Sequence, residues 1–401
     1  MEIFLLSILF LIPVVGLFSG LSVAASVPLF TFGFLIHLRK SLEFNIKNYK
    51  LEISFVLWIL ASYLWSLNPP NSFLSGIKFS TEFFIGLVLI KNIAKIDISI
   101  TKIEKVIIAA LFCAIVAFCA EYLTGGKMSL MFRELTQKKE SHIFFLHNLD
   151  RGVALLALLS WVVIGIFLQQ KKWLLAGLIY FVTLTVLILS DNLAGLVGHI
   201  AAIIVFFATR FTIFRNPKIL CCLLLAGSAL MIIFAFKVNA LEVALENDTL
   251  PLSAKHRLFI WNFVAENSQA EPVLGIGFNS SRIFPVGDEQ IISLLGHRLH
   301  PLPMHPHNNI MQVYFELGAI GLILYLSLAC KYLLIIGRNY RVATTEEKNI
   351  ISAKYAGFSL YFIISMISYN MWQSWFVASA IFIAALFALL KEKNKFHSIA
   401  S

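Results

Sequence analysis

The feature that most constrains this chain is a succession of apolar runs, each close to the ~20 residues that a helix needs to cross a ~30 Å hydrocarbon layer. Such runs suit helices, whose backbone groups satisfy one another. They do not suit the alternating strands of an outer-membrane barrel. Cutting at charges and at Pro, Gly and Asn clusters predicts twelve spans, at residues 3–18, 21–37, 51–66, 73–90, 103–123, 152–168, 173–189, 193–208, 219–236, 310–336, 355–371 and 374–390. The expected fold is therefore an all-α polytopic membrane protein with about twelve transmembrane helices. A large, partly helical outer loop is expected between the ninth and tenth. Composition agrees. Hydrophobic residues make up 59% of the chain and charged residues 13%, against roughly 45–50% and 25% in soluble domains. This excludes a cytosolic enzyme, a secreted disulfide scaffold and a disordered chain. The five Cys all lie inside apolar runs and read as small buried hydrophobes.

A net charge of +10 raises the question of nucleic acid, but the basic residues sit in short clusters between the runs. If the N-terminus is cytoplasmic, nineteen of them fall on inner connections: Arg39, Lys40, Lys47 and Lys50; Lys91, Lys95 and Lys102; Lys171 and Lys172; Arg210, Arg215 and Lys218; Arg338, Arg341, Lys348 and Lys354; Lys391, Lys393 and Lys395. The four short outer connections carry none, so the positive-inside rule assigns both ends to the cytoplasm and no nucleic-acid partner is expected. Only Glu2 precedes the first run, so no cleavable signal peptide is expected. The chain divides into residues 1–236 with spans one to nine, 237–309 as a periplasmic loop, and 310–401 with spans ten to twelve and a cytoplasmic tail. Ser253 to Ala270, within that loop, reads as an amphipathic helix lying on the membrane face.

Three outer segments carry candidate chemistry. In the stretch from His305 to Leu326, Asn308 or Asn309 can cap the tenth span, leaving His307 at the helix mouth. Glu316 follows as a costly carboxylate near the bilayer edge. Gly318 and Gly321 sit one turn apart and allow a neighbouring helix to approach. Arg151 opens the sixth span and Arg257 lies in the long loop. Arginine suits phosphate because its planar fork makes paired hydrogen bonds and keeps its charge. The ordinary alternatives are helix capping for the His and Asn and snorkelling for Arg151. His297, His300, His305 and His307 lack regular ligand spacing, so no metal site is read from them. Asp191, between two spans, reads equally as a functional residue or as a turn residue. Gly275 and Gly277 form a short turn and not a dinucleotide fingerprint. No Walker A sequence occurs, so the chemistry is expected to run without nucleotide hydrolysis and without a cofactor.

These segments resemble the O-antigen ligase family, which shares a superfamily with O-antigen polymerases and some protein O-oligosaccharyltransferases. The family's His–Asn/Ser/Gln, nine residues, Gly-x-x-Gly pattern reads here as His307, Asn308, Gly318 and Gly321. Its Arg-x-x-x-Leu pattern fits Arg151 to Leu155. Its loop pattern fits Arg257, Trp261, Pro272, Gly275 and Gly277. The layout covers most of the chain, while the specific motifs cover a small part. Leu322 after the second Gly and Asp191 after Ser190 depart from the ligase pattern. Those departures leave ligase and polymerase both open.

The resemblance implies a glycan donor on undecaprenyl diphosphate and a lipid A–core acceptor, joined at the periplasmic face of the inner membrane during lipopolysaccharide biosynthesis. It implies a metal- and ATP-independent transfer with inversion. In it Arg151 and Arg257 bind the diphosphate and His307 is the general base. Asn308 and Glu316 hold the end of the His helix. Membrane lipids are the other expected partners, and no obligate protein partner is inferred. The alternatives are an O-antigen polymerase, a protein O-oligosaccharyltransferase and, from a different class, a lipid-linked glycan flippase.

Overall fold

A helix that is apolar around its whole circumference must be surrounded, and in the computed structural model the segment Asp150–Gln169 is: every residue from Gly152 to Leu168 is buried. The structure describes residues 2–39, 42–43, 45–96, 98–137, 144, 146–247, 249–294 and 296–391. Its elements in chain order are α1 (Glu2–Phe18), α2 (Gly20–His37), α3 (Lys50–Ala61), α4 (Pro69–Asn92), α5 (Ile100–Thr124), α6 (Lys127–Gln137), α7 (Asp150–Gln169), α8 (Trp173–Leu189), α9 (Leu193–Phe211), α10 (Pro217–Lys237), α11 (Ala240–Glu246), α12 (Leu252–Ser268), β1 (Ile292–Leu294), β2 (His297–Leu299), α13 (Asn309–Gly337), α14 (Thr345–Ile367) and α15 (Ser374–Lys391). Apart from α6, α11 and α12, the α-helices fall on the twelve expected spans. Eight are long and apolar enough to cross a membrane, and α1, α8 and α15 are shorter apolar helices. The chain is an all-α polytopic membrane protein. Of the basic residues expected on inner connections, Lys40, Lys393 and Lys395 lie outside the described residues, as does the expected tail beyond Lys391.

The core forms around α7, which packs against α1, α5, α8, α9, α14 and α15. The bounds of two expected spans move. The third span ends at Ala61 and passes into a 3-10 turn, Ser62–Trp65. The eleventh starts at Thr345 and stops at Ile367, not 355 and 371. A reciprocal cap sets its start: Thr344 Oγ1 accepts from Glu347 N at 3.3 Å and Glu347 Oε2 accepts from Thr344 N at 2.7 Å. Its end is set by polar residues, Ser368 and Asn370, that bond elsewhere. The cysteines are free. Cys221 is buried as expected, whereas Cys119 and Cys222 face outward from their helices, where lipid rather than protein covers an apolar thiol.

The long loop is partly helical, as expected. It holds α11, α12 and an antiparallel hairpin in which Ile292 pairs with Leu299 and Leu294 with His297. Helix α12 turns much of its apolar face to protein. It packs on α10 and α13, burying Ile260, Phe263, Val264 and Ala265 with Ala235, Met311 and Phe315. The apolar stripe that suggested a lipid-facing helix is covered by protein.

Gly318 does not serve as a platform for a neighbouring helix. It breaks α13, with φ 66° and ψ −170°. The break frees backbone groups that a helix would have paired, and the loop from Pro272 to Gly277 takes them up. Ile276 N donates to Phe315 O at 3.0 Å and Gly277 N to Glu316 O at 2.9 Å. Ala319 N donates to Pro272 O at 2.9 Å. Trp58 Nε1 of α3 donates to Leu317 O at 3.0 Å. Gly275 and Gly318 face each other, and a Cβ on Gly275 would lie 2.5 Å from Gly318 N.

Candidate active site

The site grows from the start of α13. Asn308 is the N-cap, its Oδ1 accepting from Met311 N at 3.0 Å. Its Nδ2, on a fully buried residue, makes no hydrogen bond among the described residues. His307 precedes it with φ 52°, a left-handed conformation that is uncommon for a residue with a Cβ. Such strain costs on the order of 1–3 kcal/mol and persists where the surroundings hold it. Here the ring itself is the anchor: Nδ1 lies 2.6 Å from Ser368 O. A carbonyl only accepts, so Nδ1 carries the hydrogen and the lone pair of the neutral ring sits on Nε2. His305 Nε2 reaches the same carbonyl at 3.2 Å, and the two rings stand 4.0 Å apart.

Burial holds His307 below the usual histidine pKa. The charge of Arg257 and His256 pushes the same way, while the bond to Ser368 O opposes them in part. His305 is pushed down to about 3 by burial, His307 and Arg282, against the same opposing carbonyl. Both rings are therefore neutral at neutral pH, the form in which Nε2 of His307 can take a proton.

Arg257, on α12, donates from Nε to Ile367 O at 2.8 Å and from Nη1 to Ser253 O at 3.0 Å. These bonds fix one edge of the guanidinium. Burial lowers its pKa, but an arginine titrates so far above neutrality that it keeps its charge. Arg151, in the first turn of α7, is exposed and stands 5.9 Å from the centre of the Trp375 ring. Gly20 of α2 makes room for it, since a Cβ there would come 2.9 Å from Arg151 Cδ.

Glu316 is fully buried, which is tolerable only with donors around it. It accepts from Trp372 Nε1 at 2.6 Å, Asn279 N at 2.9 Å, Ser281 N and Oγ, and Gln312 Nε2. It thus ties α13 both to the loop around Ser281 and to the segment after α14.

That segment, Ile367 to Trp375, is what the sequence reading missed. It was expected to be the end of one span and the start of the next. Instead it is where the candidates meet: His305 and His307 bond Ser368 O, Arg257 bonds Ile367 O, Glu316 bonds Trp372 and Arg151 faces Trp375. Tyr369 is hydrogen-bonded to Asn192 and Ser368 and feels the charges of Asp150 and Arg151. Asn370 Oδ1 accepts from Gln312 Nε2 at 3.0 Å and from Trp372 N at 2.8 Å. The signal was present in the run Ser368-Tyr-Asn-Met-Trp-Gln-Ser-Trp375, too polar and too rich in Trp for the middle of a span. Asp191 sits in a left-handed turn with φ 55°, as a turn residue would. Arg282 is exposed in a 3-10 turn, Ser281–Ile283, close enough for its charge to act on His305.

A family model described as O-antigen ligase matches residues 178–326. The matched stretch includes Arg257, His307, Asn308 and Glu316, while Arg151 and the 367–375 segment lie outside it. Full-length similarity is found to Rickettsia proteins named as candidate polysaccharide ligases. The Rickettsia typhi protein is 36% identical across 97% of this chain and 98% of its own length. The Rickettsia bellii protein is 36% identical across 95% and 96%, and that of Rickettsia prowazekii 36% across 97% and 98%.

Proposed function

The chain belongs to the O-antigen ligase family, and from that premise we propose that it is a glycosyltransferase of the bacterial inner membrane. In this reading it moves O-antigen glycan from undecaprenyl diphosphate to lipid A–core at the periplasmic face, with inversion, during lipopolysaccharide biosynthesis. Residues 237–309 are proposed to be periplasmic and both chain ends cytoplasmic. The observation that carries the proposal is the convergence of His307, Arg257, Arg151 and Glu316, from separate elements, on the one segment Ile367 to Trp375.

The donor diphosphate is already a leaving group, so the barrier lies in two places: the acceptor proton and the negative charge that grows on the departing phosphate oxygen. Nε2 of His307 takes the proton from the acceptor hydroxyl as its oxygen attacks the anomeric carbon from the side opposite the diphosphate. General base help of this kind is worth ~10²–10⁴-fold. The bond from the anomeric carbon to the phosphate oxygen breaks with its electron pair on the diphosphate, where Arg151 and Arg257 meet the new charge. The cationic ring of His307 then loses its proton readily, because burial and the neighbouring Arg257 disfavour it. Asn308 and Glu316 are proposed to hold the His-bearing helix end.

Leu322 and Asp191 depart from the ligase pattern, which keeps an O-antigen polymerase in view as the second reading. Lipopolysaccharide banding in a deletion strain separates them. Loss of all long bands with accumulation of lipid-linked polymer marks a ligase, and a single-repeat product marks a polymerase. Unchanged lipopolysaccharide with lost glycoprotein marks a protein O-oligosaccharyltransferase. The base assignment is tested with purified protein in detergent, with EDTA and without nucleotide. His307→Ala is expected to abolish transfer while donor binding persists, and robust turnover by this variant would overturn the assignment.

A further inference from the structure

Asn309 and Tyr325 stand 16 residues apart in α13, yet Asn309 Nδ2 donates to Tyr325 Oη at 2.9 Å. At 1.5 Å per residue a continuous helix would separate them by about 24 Å, a gap their side chains are too short to close. The break at Gly318 therefore does more than interrupt α13. It folds residues 309–317 back against residues 319–337 as the two arms of a V. Two further observations agree. Ile310, Val313 and Leu317 of the first arm share one buried apolar cluster with Leu322 and Leu326 of the second. A Cβ on Gly321 would overlap the Cβ of Leu317, although positions four apart on a continuous helix keep their Cβ atoms ~5–6 Å apart. Glycine at 321 lets the arms touch.

The free end of the first arm carries His307 and Asn308. The segment after α14 holds this arm from one side: Ser368 O accepts from His307 Nδ1, Asn370 Oδ1 accepts from Gln312 Nε2 at 3.0 Å, and Trp372 Nε1 donates to Glu316. The bond from Asn309 to Tyr325 holds it from the other. Asn309 is fully buried, and the Tyr325 ring is set against Phe55 of α3 with ring centres 6.4 Å apart. A buried amide that loses its partner is costly, so this bond opposes any swing of the arm about Gly318.

We propose that Tyr325 is a positioning residue for His307. Through Asn309 it sets how far the first arm opens from the second, and so where Nε2 of His307 lies relative to the reacting hydroxyl. The inference rests on the general-base reading above. Arg151 and Arg257 are carried by α7 and α12, so a swing of the arm displaces the base and not the groups proposed to bind diphosphate.

The test uses the full-length protein in detergent and three variants. Tyr325→Phe removes the hydroxyl. Asn309→Asp keeps an acceptor for it. Tyr355→Phe is the comparison, because it removes a buried tyrosine hydroxyl that donates to Leu333 O at 3.2 Å between α14 and the second arm. Tyr325→Phe should lower kcat about ten- to a hundredfold, the order of loss expected from a misplacement near 1 Å, with the donor KM little changed. Asn309→Asp should retain most activity. Tyr355→Phe should lower the melting temperature about as much as Tyr325→Phe and leave kcat as it was. A second readout needs no turnover: carbethoxylation of His307 by diethyl pyrocarbonate, located by peptide mass spectrometry, should be faster in Tyr325→Phe and unaltered in Tyr355→Phe. Wild-type kcat from Tyr325→Phe, an equal loss from Tyr355→Phe, an inactive Asn309→Asp, or His307 labelling indifferent to Tyr325→Phe would each overturn the proposal. If the wild-type protein transfers no glycan but the labelling follows this pattern, the glycosyl-transfer reading fails and the hold on His307 stands. Transfer that needs His307 but ignores Tyr325→Phe would do the reverse.

Discussion

At the scale of single residues, the site depends on which form each group keeps. The base role proposed for His307 requires a neutral ring, and burial with the charge of Arg257 and His256 holds its pKa below the usual 6.5. Activity is therefore full above that value and falls as pH drops through the lowered pKa. The acid limb of a kcat/KM profile, which reports the free enzyme, should lie below pH 6.5, and a limb above it would contradict the neutral, buried ring. The role proposed for the arginines uses shape as well as charge. Arg257→Lys and Arg151→Lys keep the charge but lose the paired geometry, so each should lose most transfer activity, with Arg→Ala worse. Wild-type rates from both Lys variants would remove diphosphate binding from their role. His307 and Arg151 could be singled out in the sequence because each is a polar group at the edge of an apolar run, and Arg257 because it is an arginine in the long polar connection. Ser368 could not, because its contribution is a backbone carbonyl, which carries no signature in the side chains.

At the scale of elements, the twelve helices were legible because a membrane span is written in composition alone. Their interruptions were harder to read. Gly318 and Gly321 have the spacing of a helix-packing pair, but at Gly318 the approaching backbone is a loop and the helix is broken to receive it. Only the positive φ and the opposed Gly275 reveal this, and neither is a property of local sequence. Gly318→Ala places a Cβ against the carbonyl of Val273 and forces a side chain into a conformation reserved for glycine. A cost on the order of 1–3 kcal/mol from strain alone is expected, read as a lower melting temperature in detergent together with weakened transfer. An unchanged melting temperature would mean that the break can heal into a continuous helix.

At the scale of the whole molecule, the proposed orientation follows from the basic residues on one set of connections. In a Cys-free background, Ser253→Cys on the long loop should react with an impermeant thiol reagent on cells with a permeable outer membrane. Val342→Cys, 86% exposed on the connection before α14, should not, and reversed labelling would invert the molecule. The broken α13 gives that orientation a consequence for biogenesis. Until residues 272–277 fold back against it, α13 has amides and carbonyls with no partner in hydrocarbon, where each is expensive. The span cannot mature as an independent insertion unit. If the loop is exported, the polypeptide upstream must cross first, fold, and return to complete a helix synthesised after it, so His307 and Arg257 take up their places in the same late step that makes the span stable.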